Sequence, residues 1–459
     1  MYTRLFGREP DVDVPHSDDE LIRLAVLKKK LNGQKIVCNM TTIPSRFEHI
    51  PKIIQTLRTH HIFDDIIVHV PRRYKRFETF TGPYPEFATL CDEDYGPATR
   101  ILHAQGDIVV YCDDDTEYSH LTSLELIEKH IETQGCCGGS GFNFSKYFVG
   151  DFSKKAGEPV QVIEGYGMVV CKREWIDRVA SEFKTLLEYT YNDDMVFSNL
   201  LERYDIKKYV FPSQIKQLDY GFDKDALHWN NGEKSHVQNN KRILKTLRTH
   251  EKMYFKPSVS YAICVCNESR ELGDLLHVLE SSIFHSDEIV VLVDTSKVTR
   301  NVWDILQKYP WISVHQREFT GNFADHKNYL TSLCHGSHVF NIDADEIPSH
   351  FLIENVYKLL EFDLVYVPRV NILAGASPAY LEKHNFSISK EGFINYPDYQ
   401  GRIFSSKLRW ESKLHEHIVG AKRVTQIQAD PNLSLWHIKS LTKMDAQNDL
   451  YQTLSKNVR

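Results

Sequence analysis

The feature that most constrains this chain is a short stretch that occurs twice. The first copy is Asp107-Ile-Val-Val-Tyr-Cys-Asp113-Asp114-Asp115, and the second is Ser337-His-Val-Phe-Asn-Ile-Asp343-Ala344-Asp345-Glu346. Each is an apolar, β-branched run that stops at acids with one residue between them, and each reads as a buried strand. In an open α/β sheet, ligands collect just past the carboxyl ends of strands. Two carboxylates there make a hard oxygen site, suited to Mg²⁺ or Mn²⁺ that a substrate diphosphate also holds. One isolated Asp-x-Asp would read first as a turn or a helix cap. The repetition argues for a site.

The rest of the chain repeats around these two stretches. At 459 residues it is long enough for two or three domains. Residues 1–34 form a polar extension in which Ser17-Asp-Asp-Glu20 is a capping box before a short helix. Residues 35–240 form a first α/β domain: a strand from Lys35, a helix over Ile50 to Thr59, a strand over Ile66 to Val70, then the first acidic stretch. Beyond it a helix is predicted over about 121 to 133, then a Gly-rich segment from Gly135 to Gly141. Asn192-Asp193-Asp194 opens another helix. Residues 241–256 read as a basic helical linker. Its stripe of Lys241, Arg242, Lys245, Arg248 and Lys252 is expected to be a solvated face, with contact to an anionic membrane as the alternative. From 257 to 459 the order begins again: a strand from Tyr261, a helix over Leu272 to Phe284, a strand over Glu288 to Asp294, and the second acidic stretch. The opening strands (positions 37 and 263) lie 226 residues apart and the acidic stretches (113 and 343) lie 230 apart. The expected fold class is therefore α/β, with two tandem Rossmann-like, mostly parallel sheets.

Composition excludes some alternatives. A net charge of −7 gives no basic footprint, so no nucleic-acid partner is expected. Nine cysteines without a Cys-x-x-Cys pattern indicate reduced thiols, and a cytoplasmic location is expected. No apolar run approaches the roughly 20 residues of a membrane span. The acidic N-terminus has no apolar core, so no secretory signal is expected.

The residues also resemble a known family. Cys264-Val-Cys-Asn267-Glu268, Glu288-Ile-Val-Val-Leu-Val-Asp294, Phe323-Ala-Asp-His-Lys-Asn328 and the second acidic stretch are similar, in order and spacing, to family 2 nucleotide-diphosphosugar glycosyltransferases of the GT-A fold. The first half resembles a more divergent group through Met40-Thr-Thr-Ile-Pro-Ser-Arg46, Tyr95-Gly-Pro-Ala-Thr-Arg100 and Asp113-Asp-Asp115. Tandem enzymes of this kind resemble those of large algal DNA viruses and of bacterial surface-polysaccharide clusters, and a viral source would make the location the host cytoplasm.

The resemblance implies roles. Asp113 and Asp115, and Asp343 and Asp345, would hold one Mn²⁺ or Mg²⁺ per domain, with Asp113 and Asp343 also touching the nucleotide. Asp114 leaves the first motif ambiguous by one position. His437 would complete the second site, and His228 or His236 is the weaker offer for the first. Thr42, Pro44 and Arg46 in the first half, and Asn267, Glu268 and Asp294 in the second, would line the nucleoside. Pro71 stands where the first half would need its counterpart of Asp294. Arg100 and Lys327 are cations placed to pair with a phosphate, or else ordinary surface charges. The general base would be Asp193 or Asp194 in the first half and Glu416 in the second. A local zinc site from His415 and His417 is the alternative for that last segment. The implied activity is bifunctional, metal-dependent and inverting. It moves a hexose or deoxyhexose such as rhamnose from a nucleotide sugar, UDP-linked by first expectation, to a glycan or glycoprotein acceptor. Two rivals remain: one half as a degenerate glycan-binding module, or a sugar nucleotidyltransferase. Neither Thr-Thr-Ile-Pro-Ser-Arg46 nor Val-Cys-Asn-Glu-Ser-Arg270 has the glycines of a phosphate loop, which weighs against the latter.

Overall fold

A computed structural model describes residues 17–144, 156–190, 192–212, 215–217, 236–284, 286–441 and 444. The chain forms two compact units, Met1–Phe255 and Lys256–Arg459.

The first unit begins with the capping box. Glu20 N donates to Ser17 Oγ at 3.3 Å and Ser17 N to Glu20 Oε2 at 2.8 Å, starting the helix Asp18–Leu31. Its buried face of Leu24, Leu27 and Leu31 joins the core around Ile36, Met40 and Ile53. An Arg23–Glu128 pair at 2.6 Å ties its flank. The helix of the polar extension thus packs on this unit's core, because three leucines at helical spacing have a surface to cover. The sheet runs Ala88–Cys91, Asp65–Pro71, Ile36–Thr41, Ile108–Tyr111, Val169–Lys172, Cys136–Gly138, Lys208–Val210, Glu158–Pro159. The first four strands are parallel and Val169–Lys172 is antiparallel. Val109 and Tyr111 face one core, while Ile108 and Val110 face the other. The period of two thus places a layer on each side of the sheet. The Gly-rich segment holds two short strands, Cys136–Gly138 and Gly141–Phe142. A Cβ on Gly138 or Gly141 would collide with Ile163 or Val162, so the glycines serve close packing within structure.

The segment expected as a linker is also part of this unit. The helix His236–Thr249 buries Ile243, Leu244 and Leu247 in the first core, beside Phe255. Three apolar residues at helical spacing outweigh the basic stripe that suggested a solvated connection.

The second unit repeats the plan. Its sheet runs Ser313–Arg317, Glu288–Asp294, Val259–Val265, His338–Asp343, Ile394–Ser405, Leu364–Ala374, Leu435–Ser440, Glu346–Pro348, with Val424–Gln426 also on Leu364–Ala374. Again four parallel strands in the same chain order meet an antiparallel fifth. Cys266 lies just beyond the end of the strand Val259–Val265. Both units are α/β, with mixed, Rossmann-like sheets. Among the described residues, no helix is long and apolar enough to cross a membrane.

Candidate functional site

In both sheets the acidic stretch leaves the central parallel strand at its carboxyl end and turns into a short strand. That strand is Thr116–Tyr118 in the first unit and Glu346–Pro348 in the second. The turn gathers its acids where the strands diverge.

In the first unit the acids meet two arginines. Arg100, buried on the short helix Thr99–Leu102, donates through Nη1 to Asp113 and through Nη2 to Asp193 Oδ2 at 3.1 Å. Its guanidinium lies over the Tyr111 ring, 5.6 Å from the centroid. Gly165 makes the room, since a Cβ there would collide with Arg100 Nη2. Asp193 is the first residue of the helix Asp193–Arg203, whose N-cap Asn192 accepts from Met195 N at 2.8 Å. Asp194 is turned elsewhere, accepting from Gly165 N at 2.9 Å. Of the two acids left open by the sequence, Asp193 is the one held against the motif. Pro44 opens the tight turn Pro44–Arg46, and Thr42 accepts from the Tyr74 hydroxyl through its carbonyl. Arg46, assigned by resemblance to the nucleoside loop, reaches the acids: it donates to Asp114 and lies 3.3 Å from Asp115 Oδ2. Burial, reinforced by Asp113 and Asp114, pushes the Asp115 carboxyl up to about 7. Burial also raises Asp114, Asp193 and Asp194, against the pull of the arginines.

In the second unit the acids sit in a continuous network. Lys327, on the helix Phe323–Ser332, lies 3.7 Å from Asp343 Oδ1 and 2.7 Å from Glu416 Oε1. Arg402 donates through Nη2 to Asp343 Oδ2 and to Glu346 Oε1, both at 2.6 Å. Arg369 joins Glu346 at 2.9 Å to Asp398 at 2.6 Å. Asn371 donates to Asp398 at 2.9 Å and meets His437 Nδ1 at 2.8 Å. His437 Nε2 and Lys439 Nζ then lie 3.5 and 3.8 Å from Asp345 Oδ2. Burial alone would raise Asp343, but Arg402 and Lys327 hold it well below the usual carboxylate range. His437 and Lys439 likewise outweigh burial at Asp345 and bring it to about 2.

Other expected residues have different partners. Glu268 Oε2 accepts from the N–H groups of Cys266 and Asn267, both at 3.0 Å, and so closes its own loop, while Asn267 is exposed. Asp294 accepts from Ser296 N at 2.9 Å and Phe319 N at 3.0 Å; these bonds hold it below its ordinary value despite burial. Among the described residues no three His, Cys, Asp or Glu side chains cluster to hold a metal, so the local zinc site at His415 and His417 lacks a third ligand. His228 lies outside the described residues, as does the side chain of His236. Glu346 pairs with His437, while Thr116, in the same place after its acids, pairs with Gln217.

Sequence reasoning missed Arg369, Arg402, Asp398 and Lys439. All lie on strands whose pairing brings distant positions together, and no local pattern marks them. Glu346 was visible in the motif, but nothing signalled that it would be fully buried between two arginines.

Residues 260–417 match the Glycosyl transferase family 2 profile. No curated protein matches the chain. Solved structures similar to it include S. aureus TarS 1-349, at 14% identity and TM-score 0.29 over 39% of this chain and 60% of that one. The UDP complex of TarS 1-349 aligns at 15% identity and TM-score 0.30, over 43% and 65%. The UDP-GlcNAc complex aligns at 14% and 0.28, over 40% and 58%. This chain thus spans less than two thirds of each of those structures. The family match, over 260–417, lies wholly within the second unit.

Proposed function

We propose that each unit transfers a sugar from a nucleotide donor, a UDP-sugar first, to a glycan or glycoprotein acceptor, with inversion at the anomeric carbon. The observation that carries this reading is shared by both units. A carboxylate outside the motif is held against the motif's first acid by one buried cation: Asp193 through Arg100, and Glu416 through Lys327. Inverting transfer needs such a pair of functions, one region for the leaving diphosphate and a base facing it.

Asp113 and Asp115 in the first unit, and Asp345 with His437 in the second, are the residues that would hold Mn²⁺ or Mg²⁺. Carboxylate oxygens suit such hard ions, and the excess of acids over arginines in the first unit fits a divalent cation. When bound, the ion neutralises the departing diphosphate. The chain's own groups do the rest. Lys327, Arg402 and Lys439 place positive charge at the second motif, and Glu416 takes the proton of the attacking hydroxyl. Asp193 does the same in the first unit. We further read the units as copies of one ancestral domain acting in sequence on one glycan, where tethering raises the effective concentration of the intermediate.

The test is Glu416→Gln in the full chain, after a screen of sugar nucleotides for Mn²⁺-dependent release of UDP. The substitution keeps shape and removes basicity. Turnover at the second site should fall by about 10²–10⁴ with donor affinity nearly unchanged. Turnover within about threefold of the parent would remove Glu416 from the role.

A further inference from the structure

We infer that Lys327 and Arg100 are positioning residues: each aims the base of its unit at the reacting centre. This rests on the reading of Glu416 and Asp193 as bases. The sequence placed both cations before the acidic stretch and suggested a phosphate as partner. In the structure each bridges two carboxylates instead.

The two bridges are built from different parts. In the first unit the cation is an arginine on a four-residue helix, and the base opens a long helix with its own N-cap. In the second the cation is a lysine in the helix Phe323–Ser332, and Glu416 lies in the turn between the strands Arg409–Glu411 and His417–Val419. That hairpin is fixed to the lysine's helix by a reciprocal pair. Trp410 N donates to Asn328 Oδ1 at 2.8 Å, and Asn328 Nδ2 donates to the Trp410 carbonyl at 2.9 Å. Lys327 Nζ sits over the Trp410 ring, 4.6 Å from its centroid, and is buried. A surface ion pair would need none of this and would contribute little. Unlike side chains on unlike scaffolds reach one arrangement, acid–cation–acid, always with the motif's first acid at one end. A buried cation so placed fixes the base's rotamer and ties its position to the diphosphate end of the site. That matters because a misplacement of about 1 Å can cost about 10²-fold in rate.

The experiment uses the full chain and UDP release from a panel of UDP-glucose, UDP-galactose and UDP-N-acetylglucosamine. Lys327→Met should lower kcat at the second site by about 10²-fold while UDP affinity, by calorimetry, stays within about threefold. Lys327→Arg should stay within about tenfold of the parent, since Arg100 performs the same task. The double variant Lys327→Met/Glu416→Gln should be no slower than Glu416→Gln alone, because a residue acting through another adds nothing once that other is gone. Multiplying effects, or a lost UDP affinity with kcat retained, would overturn the inference and return Lys327 to phosphate pairing. An inert Glu416→Gln would instead overturn the assignment of the base. Two further readouts stand if Lys327→Met is unstable or no donor is cleaved. Crystal structures of Lys327→Arg and Lys327→Met should show Glu416 in place in the first and displaced by about 1 Å or more in the second; an unmoved Glu416 in Lys327→Met refutes positioning. In the first unit, Gly165→Ala should push Arg100 off Asp193, and an unmoved Asp193 side chain in its crystal structure refutes the parallel.

Discussion

The two acidic centres both follow the last of four parallel strands that run in the same chain order, yet they are in opposite electrostatic states. Around Asp113 the named acids are Asp113, Asp114, Asp115, Asp193 and Asp194, and their cations are Arg46 and Arg100. Around Asp343 the acids are Asp343, Asp345, Glu346, Asp398 and Glu416, and the cations are Lys327, Arg369, Arg402 and Lys439. Burial is similar in both. Asp115 and Asp194 therefore move up where acids outnumber cations, and Asp343 and Asp345 move down where cations nearly match them. The lesson concerns position and charge: a motif at the end of a strand specifies where a ligand sits, while the opposing strands decide how much charge the ligand must bring.

The largest expected effect follows from that difference. A diphosphate approaching the first centre meets uncompensated acids, so UDP binding there should be abolished by EDTA. At the second centre chelation should weaken binding by only about tenfold, because the cations Arg369, Arg402 and Lys439 remain. Calorimetry on Asp345→Ala reads the first site, and on Asp115→Ala the second. Equal dependence on Mn²⁺ at both would break the comparison.

Stability should differ next. Glu346 is fully buried between Arg369 and Arg402. Glu346→Leu takes the shared carboxylate from two buried arginines, leaving Arg369 only Asp398 and Arg402 only Asp343 as acidic partners, and should cost about 3–5 kcal/mol in urea denaturation, with hydrogen exchange locating the loss between 257 and 441. Thr116 stands at the same place in the first unit, and its hydroxyl makes one bond of 3.3 Å to Asp115. Thr116→Val should cost about 1 kcal/mol or less. Similar costs would mean that the network is not the distinguishing feature.

The pH dependence has opposite signs in the metal-free protein. The Asp115 carboxyl is raised from 3.8 to about 7 on folding, so its contribution is present below about 4 and lost as pH rises through 7. Asp345 is lowered to about 2, so its contribution is present above about 4 and lost as pH falls through 2. Between pH 4 and 7 exchange protection should decline around Asp115 and stay level around Asp345. Parallel profiles would contradict the charge balance described above.

The smallest effect concerns how the two bases are carried. Asn192→Ala removes the cap of the helix that begins with Asp193 and should cost about 1 kcal/mol. Glu416, on a hairpin, has no such cap, and hydrogen exchange across 409–419 should be unaffected by that change.

Much of this was legible in the chain itself. The helix over Ile50 to Thr59 and the strand over Glu288 to Asp294 occur at the expected residues, because apolar spacing and local caps act within a few residues. The acidic stretches end their strands as expected, since a buried run must stop where carboxylates begin. Tertiary structure alone decided which groups face those acids. Arg402 and Arg369 arrive on antiparallel strands, and Lys439 and His437 on another, through register that no local pattern encodes. It also decided that Asp193, rather than its neighbour Asp194, meets the arginine, because Gly165 leaves space for a guanidinium on that side. Position in a strand is a short-range property fixed by side-chain periodicity. The charge a site carries is a sum over residues far apart in sequence, and only folding brings them within reach of one another.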